Sequence, residues 1–399
     1  MPKYNTFRKG DVVGDYTLGK VLGDGRFGIV MEGCRADRDA VAIKIPRHFD
    51  EAVESIQDEI QIMRKLHGCP HVISLTDIIE GRRGAQYAVM PMMETNMYTM
   101  LYELSKKESR MEVPLAQHYM RQMMLGMRWM HDHGFSNSDL KPENMLVNTD
   151  SRHLVLCDVG HSRQLAGKST FPDAPQTTQN YRAVESILNR RPFTLKTDMW
   201  SVACVCYEIL NNYMLFDPEF EETDIWSSDE EDEEDEEDED KEGEEDEEDE
   251  EDEEDEEDEE DEEDEEDEEA ALERKWSSDD SESEEDELEI DTNHLEQIME
   301  LLGSLSRQVR KQHRTFFNAK GLLRGRSYVE RTSLEDKMRR DNPFLSEEQI
   351  LLFKDFLLPM LRYREAERAT PEDMLAHAWL AGESPKPTHK DAGPARTHQ

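Results

Sequence analysis

A block of acidic residues divides the chain, and it limits most strongly what the remainder can fold into. Between Asp229 and Glu269, 39 of 41 residues are Asp or Glu. Like charges at this density cannot bury apolar surface, so we expect the block to stay disordered. It carries most of the formal net charge of -48, which leaves ordinary, mildly acidic sequence elsewhere. Any packed structure must therefore be assembled from the segments before and after the block.

The segment before the block changes its pattern at about residue 99. Up to that point, short strand-like runs alternate around glycines, with one helical repeat of apolar residues in EAVESIQDEIQIMRKLHG. Beyond it the apolar spacing is helical, as in PLAQHYMRQMMLGMRWMHDHG and TDMWSVACVCYEILNNY. The second of these is apolar on nearly every face, as expected of a central helix. A small strand-rich part followed by a larger helical part predicts a two-lobed α+β fold.

Six segments follow from these changes in pattern. They are an N-terminal extension (1–15), a small lobe (16–93), the first part of a large lobe (94–222), a disordered acidic insert (223–290), the second part of the large lobe (291–380) and a disordered tail (381–399). The helical pattern breaks before the insert and resumes after it, so we assign both flanks to the same lobe.

The composition also narrows the cellular setting. No apolar run approaches the roughly 20 residues of a membrane helix, and the N-terminus shows no signal-peptide core. The five cysteines form no CxxC pair and no Cys/His cluster with zinc spacing, which suits a reducing compartment. We expect a monomer in the cytoplasm, the nucleus or both, without membrane association.

The first motif with chemical content is LGDGRFGIV, which begins at Leu22. Gly23, Gly25 and Gly28 have the spacing G-x-G-x-x-G, in which backbone N–H groups can approach phosphates with no Cβ in the way. The same spacing marks dinucleotide sites, but those need a helix directly after the third glycine. Here the sequence continues as a strand through Val30, which favours a phosphate-binding loop between two strands.

Charged and amide side chains follow in a fixed order. VAIK ends in Lys44, and Glu59 lies on the next predicted helix, where it can neutralise a buried lysine. SDLKPEN and LCDVG then supply Asp139, Lys141, Asn144 and Asp158. Phosphoryl transfer needs a carboxylate to orient the attacking hydroxyl and oxygen ligands for Mg²⁺. Each residue alone is most simply a solvated charge, but their order and spacing favour one common site.

Four longer segments complete the pattern: QTTQNYRAVESIL, DTNHLEQIMELLG, FFNAKGLL and FKDFLLPMLRYREAERATPEDMLAHAWL. With the motifs above, they resemble eukaryotic protein kinases of the branch that holds the cyclin-dependent, mitogen-activated and CDC-like kinases. Within it the sequence is most similar to the SR-protein kinases. The similarity covers about residues 16–380 without the acidic block. It implies the bilobal protein-kinase fold, ATP with Mg²⁺, and phosphorylation of Ser or Thr in proteins, Arg/Ser-rich ones included.

The resemblance implies a role for each motif residue. Asp139 is the catalytic base, Lys141 neutralises the moving phosphoryl group, and the Lys44–Glu59 ion pair orients Lys44 onto the phosphates. The implied magnesium ligands are Asn144 and Asp158. The implied nucleotide-binding residues are Leu22, Gly23, Gly25, Gly28, Val30, Ala42, Lys44, Met90 and Met93, with Met90 as gatekeeper and Met93 near the adenine. Two further contacts are implied: Glu185 pairs with Arg368 as a structural brace, and Asp198 ties back the catalytic loop.

The catalytic loop departs from the family pattern at two positions. Kinases usually have His-Arg-Asp, and here Asn137 and Ser138 precede Asp139. Ser138 cannot receive an activation-loop phosphate as arginine does, so we expect activity without phosphorylation at Ser169, Thr170, Thr177 or Thr178. Asn137 and the small Val159 weaken an internal stack. The alternative hypothesis is therefore a pseudokinase scaffold whose acidic insert gathers basic partners.

Two charged segments suggest partners. Residues 307–340 contain eleven Lys or Arg against three acids. This stretch is a nucleic-acid surface, a solvated helix face or a surface masked by the acidic block, and we expect no direct nucleic-acid binding. The block itself is either a solubilising spacer or a segment that captures basic proteins.

Overall fold

The computed structural model describes residues 7–381, except for residues 37, 48, 82–83, 166–169, 171–176, 190–193, 220–283 and 327–328. The acidic block and the predicted tail beyond Ala381 therefore lie outside the described residues. Within the described part of the chain, no helix is long and apolar enough to span a membrane.

A six-stranded antiparallel sheet forms the small lobe. Its strands are β1 (Val12–Val13), β2 (Tyr16–Asp24), β3 (Gly28–Arg35), β4 (Arg38–Pro46), β5 (Asp77–Glu80) and β6 (Gln86–Pro91), in the order β1-β2-β3-β4-β6-β5. Helix α1 (Asp50–Lys65) connects β4 to β5. The predicted hairpin, the VAIK strand and this helix are confirmed.

Two details of this lobe differ from the prediction. Strand β1 lies in the predicted extension, because a turn at Gly14 (φ +55°) folds Val13 back onto Tyr16 as an edge pair. Of the strand-like runs, HVISLTDIIE forms a sheet strand only over its last four residues, Asp77–Glu80. Val72 makes only an isolated bridge to Leu156, because backbone bonds from Ile73 N to Leu156 O and from Leu156 N to His71 O hold it against the large lobe.

The two faces of the sheet have different neighbours. Because side chains alternate along a strand, Ile43 points away from the face that carries Ala42 and Lys44. Ile43 is fully buried in a small core that belongs to the small lobe alone. Ala88 and Met90 of β6 instead join the large core that continues into the helices. The face with Ala42 and Lys44 therefore borders the cleft between the lobes.

The large lobe is helical and is built around one buried helix. Its helices before the acidic block are α2 (Met97–Ser105), α3 (Val113–Asp132), α4 (Val184–Ile187) and α5 (Asp198–Asn211). Those after it are α6 (Glu284–Leu302), α7 (Arg307–Gln312), α8 (Leu334–Asp341), α9 (Glu347–Leu357) and α10 (Pro371–Leu375). Every residue of α5 is buried, as its apolar sequence predicts. The two-lobed α+β protein-kinase fold is confirmed.

Short strands in the large lobe carry the loops that face the cleft. Strands β7 (Thr95–Asn96), β9 (Met145–Asn148) and β10 (His153–Leu156) form one sheet, and β8 (Phe135–Ser136) pairs with β11 (Arg163–Gln164). The loop between β8 and β9 contains SDLKPEN, and the loop between β10 and β11 contains Asp158. Pairing of these strands therefore brings both segments to one edge of the lobe.

The chain after the acidic block differs from the prediction in two respects. Helix α6 begins at Glu284, inside the predicted insert. The basic stretch is not one solvated helix face. Arg310 donates to Gly321 O (2.6 Å), Arg314 to Asn318 O (3.0 Å) and Arg324 to Arg314 O (2.8 Å). These guanidinium groups stabilise a compact loop.

Candidate active site

The glycine-rich loop is a tight turn between β2 and β3. Gly25 N donates to Gly28 O (3.0 Å), which closes the turn. A Cβ on Gly28 would lie 2.7 Å from Ile45 O, so packing against β4 requires this glycine. A Cβ on Gly23 or Gly25 would meet no atom closer than 3.6 Å. Those two positions therefore leave open backbone above the cleft.

The glycine-rich loop is also held by Arg47, a residue that the sequence did not single out. Arg47 follows β4, and its Nε donates to Gly25 O (3.1 Å) while its backbone N donates to Phe27 O (3.0 Å). The same guanidinium forms an ion pair with Asp24. Arg47 thus anchors both sides of the turn and limits how far the loop can lift from the sheet.

Strand register brings the expected nucleotide-binding residues together. Val30 pairs with Lys44 across β3 and β4, and Ala42 pairs with Met90 across β4 and β6. Met90 is buried at the inner end of β6. Met93 lies beyond the strand, where its Sδ accepts from Asn148 Nδ2 (3.5 Å). These side chains share the cleft face of the sheet, while Leu22 at the loop entrance is partly exposed (36%).

Lys44 joins the small lobe to the large one. Its Nζ lies 2.6 Å from Glu59 Oε2 and 3.1 Å from Asp158 Oδ1. Burial disfavours the charged amine, but the two carboxylates outweigh burial and raise the pKa of Lys44 above its ordinary value. Burial likewise opposes ionisation of Asp158, and Lys44 more than offsets it, so the pKa of Asp158 is lowered. Both groups are charged at neutral pH, and the ion pair expected from the sequence is formed.

The oxygen atoms expected to bind Mg²⁺ are suitably presented. Asp158 adopts a left-handed backbone conformation (φ +50°), and 37% of its side chain is exposed towards the cleft. Asn144 donates its Nδ2 to Asp139 O (2.9 Å) and Asp139 Oδ2 (3.1 Å), which turns the amide oxygen away from that loop. A carboxylate and an amide oxygen are ligands that Mg²⁺ prefers, with phosphates completing its shell. The residues present therefore fit a Mg²⁺–nucleotide complex.

Asp139 is held by three neighbours. Its Oδ2 lies 3.2 Å from Lys141 Nζ and accepts from Asn144, while its Oδ1 accepts from Thr178 Oγ1 (2.7 Å). Lys141 Nζ also donates to Thr178 Oγ1 (2.9 Å). From the sequence, Thr178 is only one of the residues whose phosphorylation we expect activity not to need. The structure makes it the bridge between the catalytic carboxylate and the lysine.

Asn137 has a structural role that the sequence did not reveal. It is almost fully buried (2% exposed), and its Oδ1 accepts from the backbone N of Asp139 (3.2 Å). Its own backbone N and that of Ser138 donate to the two carboxylate oxygens of Asp198 (2.9 and 3.1 Å). The expected tie from Asp198 to the loop is thus present. Asn137 forms an Asx turn that fixes the backbone of Asp139.

Ser138 is buried and its side chain turns towards Ser136. It has a left-handed conformation (φ +69°), and its hydroxyl contacts Ser136 Oγ (2.6 Å). Of the four residues at which we expect no phosphorylation to be needed, Ser169 lies outside the described residues and Thr170 is half-buried. Thr177 is buried (7% exposed), and the hydroxyl of Thr178 is bound to Asp139 and Lys141. Neither hydroxyl is accessible in this conformation.

Replacing Asn137 by Ala should lower the rate of phosphoryl transfer about tenfold. The change leaves the buried N–H of Asp139 without an acceptor, which costs about 1–3 kcal/mol and loosens the catalytic carboxylate. The measurement is kcat on a peptide substrate, with the thermal midpoint as a second readout. Asn318→Ala is a matched control, because Asn318 Oδ1 also accepts backbone N–H groups in a loop. Equal kcat for both variants would contradict the role of Asn137.

Three acidic side chains from separate segments lie together beside the catalytic loop. Tyr181 OH donates to Glu208 Oε2 (2.8 Å), and Asn180 Nδ2 donates to Asp217 Oδ1 (3.2 Å). Burial, with the nearby charges of Glu143 and Asp217, raises the pKa of Glu208 to about 7. The buried Oε2 of Glu143 has no hydrogen-bond partner among the described residues. We call Glu143, Glu208 and Asp217 the carboxylate pocket.

Comparisons with known proteins agree with this geometry. The family model described as protein kinase domain matches residues 16–380. The chain is 32% identical to the MAPK/MAK/MRK overlapping kinase of Homo sapiens, over 52% of this chain and 48% of that protein. It is 32% identical to mitogen-activated protein kinase 4 of Oryza sativa subsp. japonica (49% and 54%). It is 30% identical to cyclin-dependent kinase B2-1 of Arabidopsis thaliana (54% and 69%).

The matches have a limited span. The chain covers about half the length of most of these curated relatives. A crystal structure of a kinase domain matches with a TM-score of 0.64, covers 94% of this chain and 98% of its own, and is 16% identical in sequence. That likeness concerns the fold alone.

Proposed function

Because the chain belongs to the protein kinase family, we propose that it transfers the γ-phosphate of ATP to Ser or Thr of protein substrates. The observation that carries the proposal is two groups of contacting charged and amide side chains at the cleft. Lys44 contacts Glu59 and Asp158, and Asp139 contacts Lys141 and Asn144. These contacts support the proposal, because phosphoryl transfer uses a carboxylate base, a phosphate-binding lysine and oxygen ligands for Mg²⁺.

Each residue has a distinct part in this reaction. Asp139 accepts the proton of the substrate hydroxyl. Its Oδ1 accepts a hydrogen bond from the Thr178 hydroxyl, which supports this oxygen as the acceptor for a substrate hydroxyl. Lys141 offsets negative charge on the transferred group, and Lys44 orients the phosphates of ATP. Asn144 and Asp158 would hold Mg²⁺, which would neutralise phosphate charge. The glycine-rich loop would cover the phosphates, and Arg47 holds this loop close to the sheet.

We further propose that the substrates are basic and Arg/Ser-rich. The support is the carboxylate pocket, which lies beside the catalytic loop because Glu143 is the residue before Asn144. A guanidinium from a substrate residue near the phosphorylated Ser could satisfy Glu143 and Glu208 together. The resemblance to SR-protein kinases points to the same substrate class.

Activity on arginine-containing peptides should rise as the pH increases through about 7, because Glu208 must ionise to pair with a cation. Burial is the main cause of this raised pKa; the hydrogen bond from Tyr181 lowers the pKa, and the charges of Glu143 and Asp217 raise it. We expect kcat/KM for an Arg-Ser peptide to rise about tenfold between pH 6 and 8, relative to a peptide with Ala for Arg. Glu208→Gln should remove the difference. A constant ratio in the unsubstituted protein would refute the pocket assignment.

The enzyme proposal is tested with labelled ATP on a panel of Arg-Ser, Lys-Ser and Ala-Ser peptides. We expect transfer to Ser, with Arg-Ser preferred, and none by Asp139→Ala. ATP binding without transfer by the unsubstituted protein would support the pseudokinase alternative instead.

We also propose that the acidic block attracts basic proteins in the cytoplasm or nucleus. Deleting residues 229–269 should then weaken their capture and its salt dependence.

A further inference from the structure

Thr178 belongs to a short turn, and residues of this turn also contact another part of the large lobe. The turn contains a 3₁₀ helix over Gln179–Tyr181. Tyr181 N donates to Thr178 O (3.0 Å) and Arg182 N donates to Gln179 O (3.0 Å). These two bonds make Thr178 and Arg182 the ends of one compact unit. A contact that holds Arg182 or Gln179 in place therefore also holds the Thr178 hydroxyl, which contacts Asp139.

Asp291, in helix α6, supplies that contact. Its Oδ1 accepts from Gln179 Nε2 (2.8 Å) and lies 3.2 Å from Arg182 NH1. Only 14% of the Asp291 side chain and 24% of the Arg182 side chain are exposed, so solvent screens this pair weakly. Arg182 Nε also donates to Thr177 O (3.4 Å), which extends the grip to the start of the turn.

We propose that Asp291 is a positioning residue for catalysis, acting through the turn 177–182 on Thr178, Asp139 and Lys141. This inference rests on the proposed function. An internal carboxylate here anchors the end of the activation segment permanently, without an added phosphate. Together with the inward-facing Ser138, it gives a physical reason why the protein needs no activating phosphorylation.

The middle of the turn has fixed points of its own, among them the bond from Asn180 Nδ2 to Asp217 Oδ1 (3.2 Å). Tyr181 OH bonds Glu208, and Tyr181 O accepts from Ser201 Oγ (2.8 Å). These bonds hold the middle of the turn against helix α5. They do not touch Gln179 or Arg182, so loss of Asp291 should free the outer side of the turn while its inner side stays anchored. The expected consequence is misplacement of Thr178 in a protein that remains folded.

The test compares Asp291→Ala and Asp291→Asn with the unsubstituted protein in steady-state kinetics. We expect Asp291→Ala to lower kcat by about 10- to 100-fold, since an error of about 1 Å in placing a catalytic group has effects of that size. The KM for ATP should be unchanged. Asp291→Asn should be intermediate, because its amide oxygen can still accept from Gln179. Asp15→Ala is the matched control, since Asp15 makes a surface pair with Arg35 at the same 3.2 Å.

A second readout separates this inference from the proposed function. Amide hydrogen exchange across residues 177–182 should accelerate in Asp291→Ala, with no change in helix α5. Unchanged local exchange, unchanged kcat, or a fall in kcat that merely follows global unfolding would each overturn the inference. If the unsubstituted protein transfers no phosphate, the proposed function fails, and the exchange measurement still decides whether Asp291 holds the turn.

Discussion

Replacing Asp139 by Asn should reduce phosphoryl transfer about 10²- to 10⁴-fold, the usual contribution of a positioned general base. Asn has nearly the same shape, and its side-chain oxygen can still accept from Thr178 Oγ1. Lys44, Glu59 and Asp158 are untouched, so we expect ATP binding to persist. The loss should therefore appear in kcat, with little change in the KM for ATP.

The measurement is initial rate against ATP and peptide concentration, with ATP binding measured separately. Asp132→Asn is the control, because Asp132 is exposed at the end of α3, a few residues before the catalytic loop. A rate loss of less than about threefold in Asp139→Asn would contradict the assignment of the base, since a dispensable carboxylate cannot supply the effect above.

Breaking the pair between Glu185 and Arg368 should destabilise the protein by about 3–5 kcal/mol. Arg368 NH1 and NH2 contact Glu185 Oε1 and Oε2 at 2.6 and 2.5 Å, and both residues are buried. Arg368 also lies 5.2 Å from the ring centroid of Trp200. Glu185→Gln leaves this guanidinium charge in the core without a counter-charge, and that uncompensated charge is the source of the cost.

Chemical denaturation measures this cost directly. Glu367→Gln is the matched control, because Glu367 (55% exposed) pairs with Arg364 (82% exposed) on the surface and such pairs contribute little. We expect the Glu185 variant to unfold at clearly lower denaturant concentration and the control to behave like the unsubstituted protein. Equal stability of the two variants would show that the brace is unimportant.

The strand and helix patterns and the order of the motifs were sufficient to predict the fold and most of the site. Lys44 contacts Glu59 and Asp158, and Asp139 contacts Lys141 and Asn144, as the order of the motifs along the chain led us to expect. Pairing of Val30 with Lys44 and of Ala42 with Met90 places the nucleotide residues on one face. Local alternation and known motifs carry this information without any knowledge of tertiary contacts.

The residues that were missed depend on contacts between distant segments. Thr178 is 39 residues from Asp139, and Arg182 is 109 residues from Asp291. No periodicity indicates such pairs. The carboxylate pocket likewise collects side chains from three segments. Strand β1 was missed because two residues are too few to show alternation.

Asn137 illustrates a different limit. Because Asn137 stands where kinases usually have histidine, the sequence suggested that an internal packing contact is lost and that the enzyme is weakened. The structure shows that the amide accepts from Asp139 N, a local bond that histidine geometry does not lead one to expect. Val159 is completely buried despite its size. The departure from the family pattern therefore changes how the loop is fixed and leaves its chemical groups in place.

We expect the protein to be catalytically active, with Asp139 as the base, without a phosphate on its activation loop. The most direct measurement is phosphate transferred from labelled ATP to an Arg-Ser peptide by phosphatase-treated protein, beside Asp139→Ala. The account predicts many turnovers per molecule for the unsubstituted protein and none for the variant. Equal signal from the two proteins, or no transfer by a folded protein that binds ATP, would contradict it.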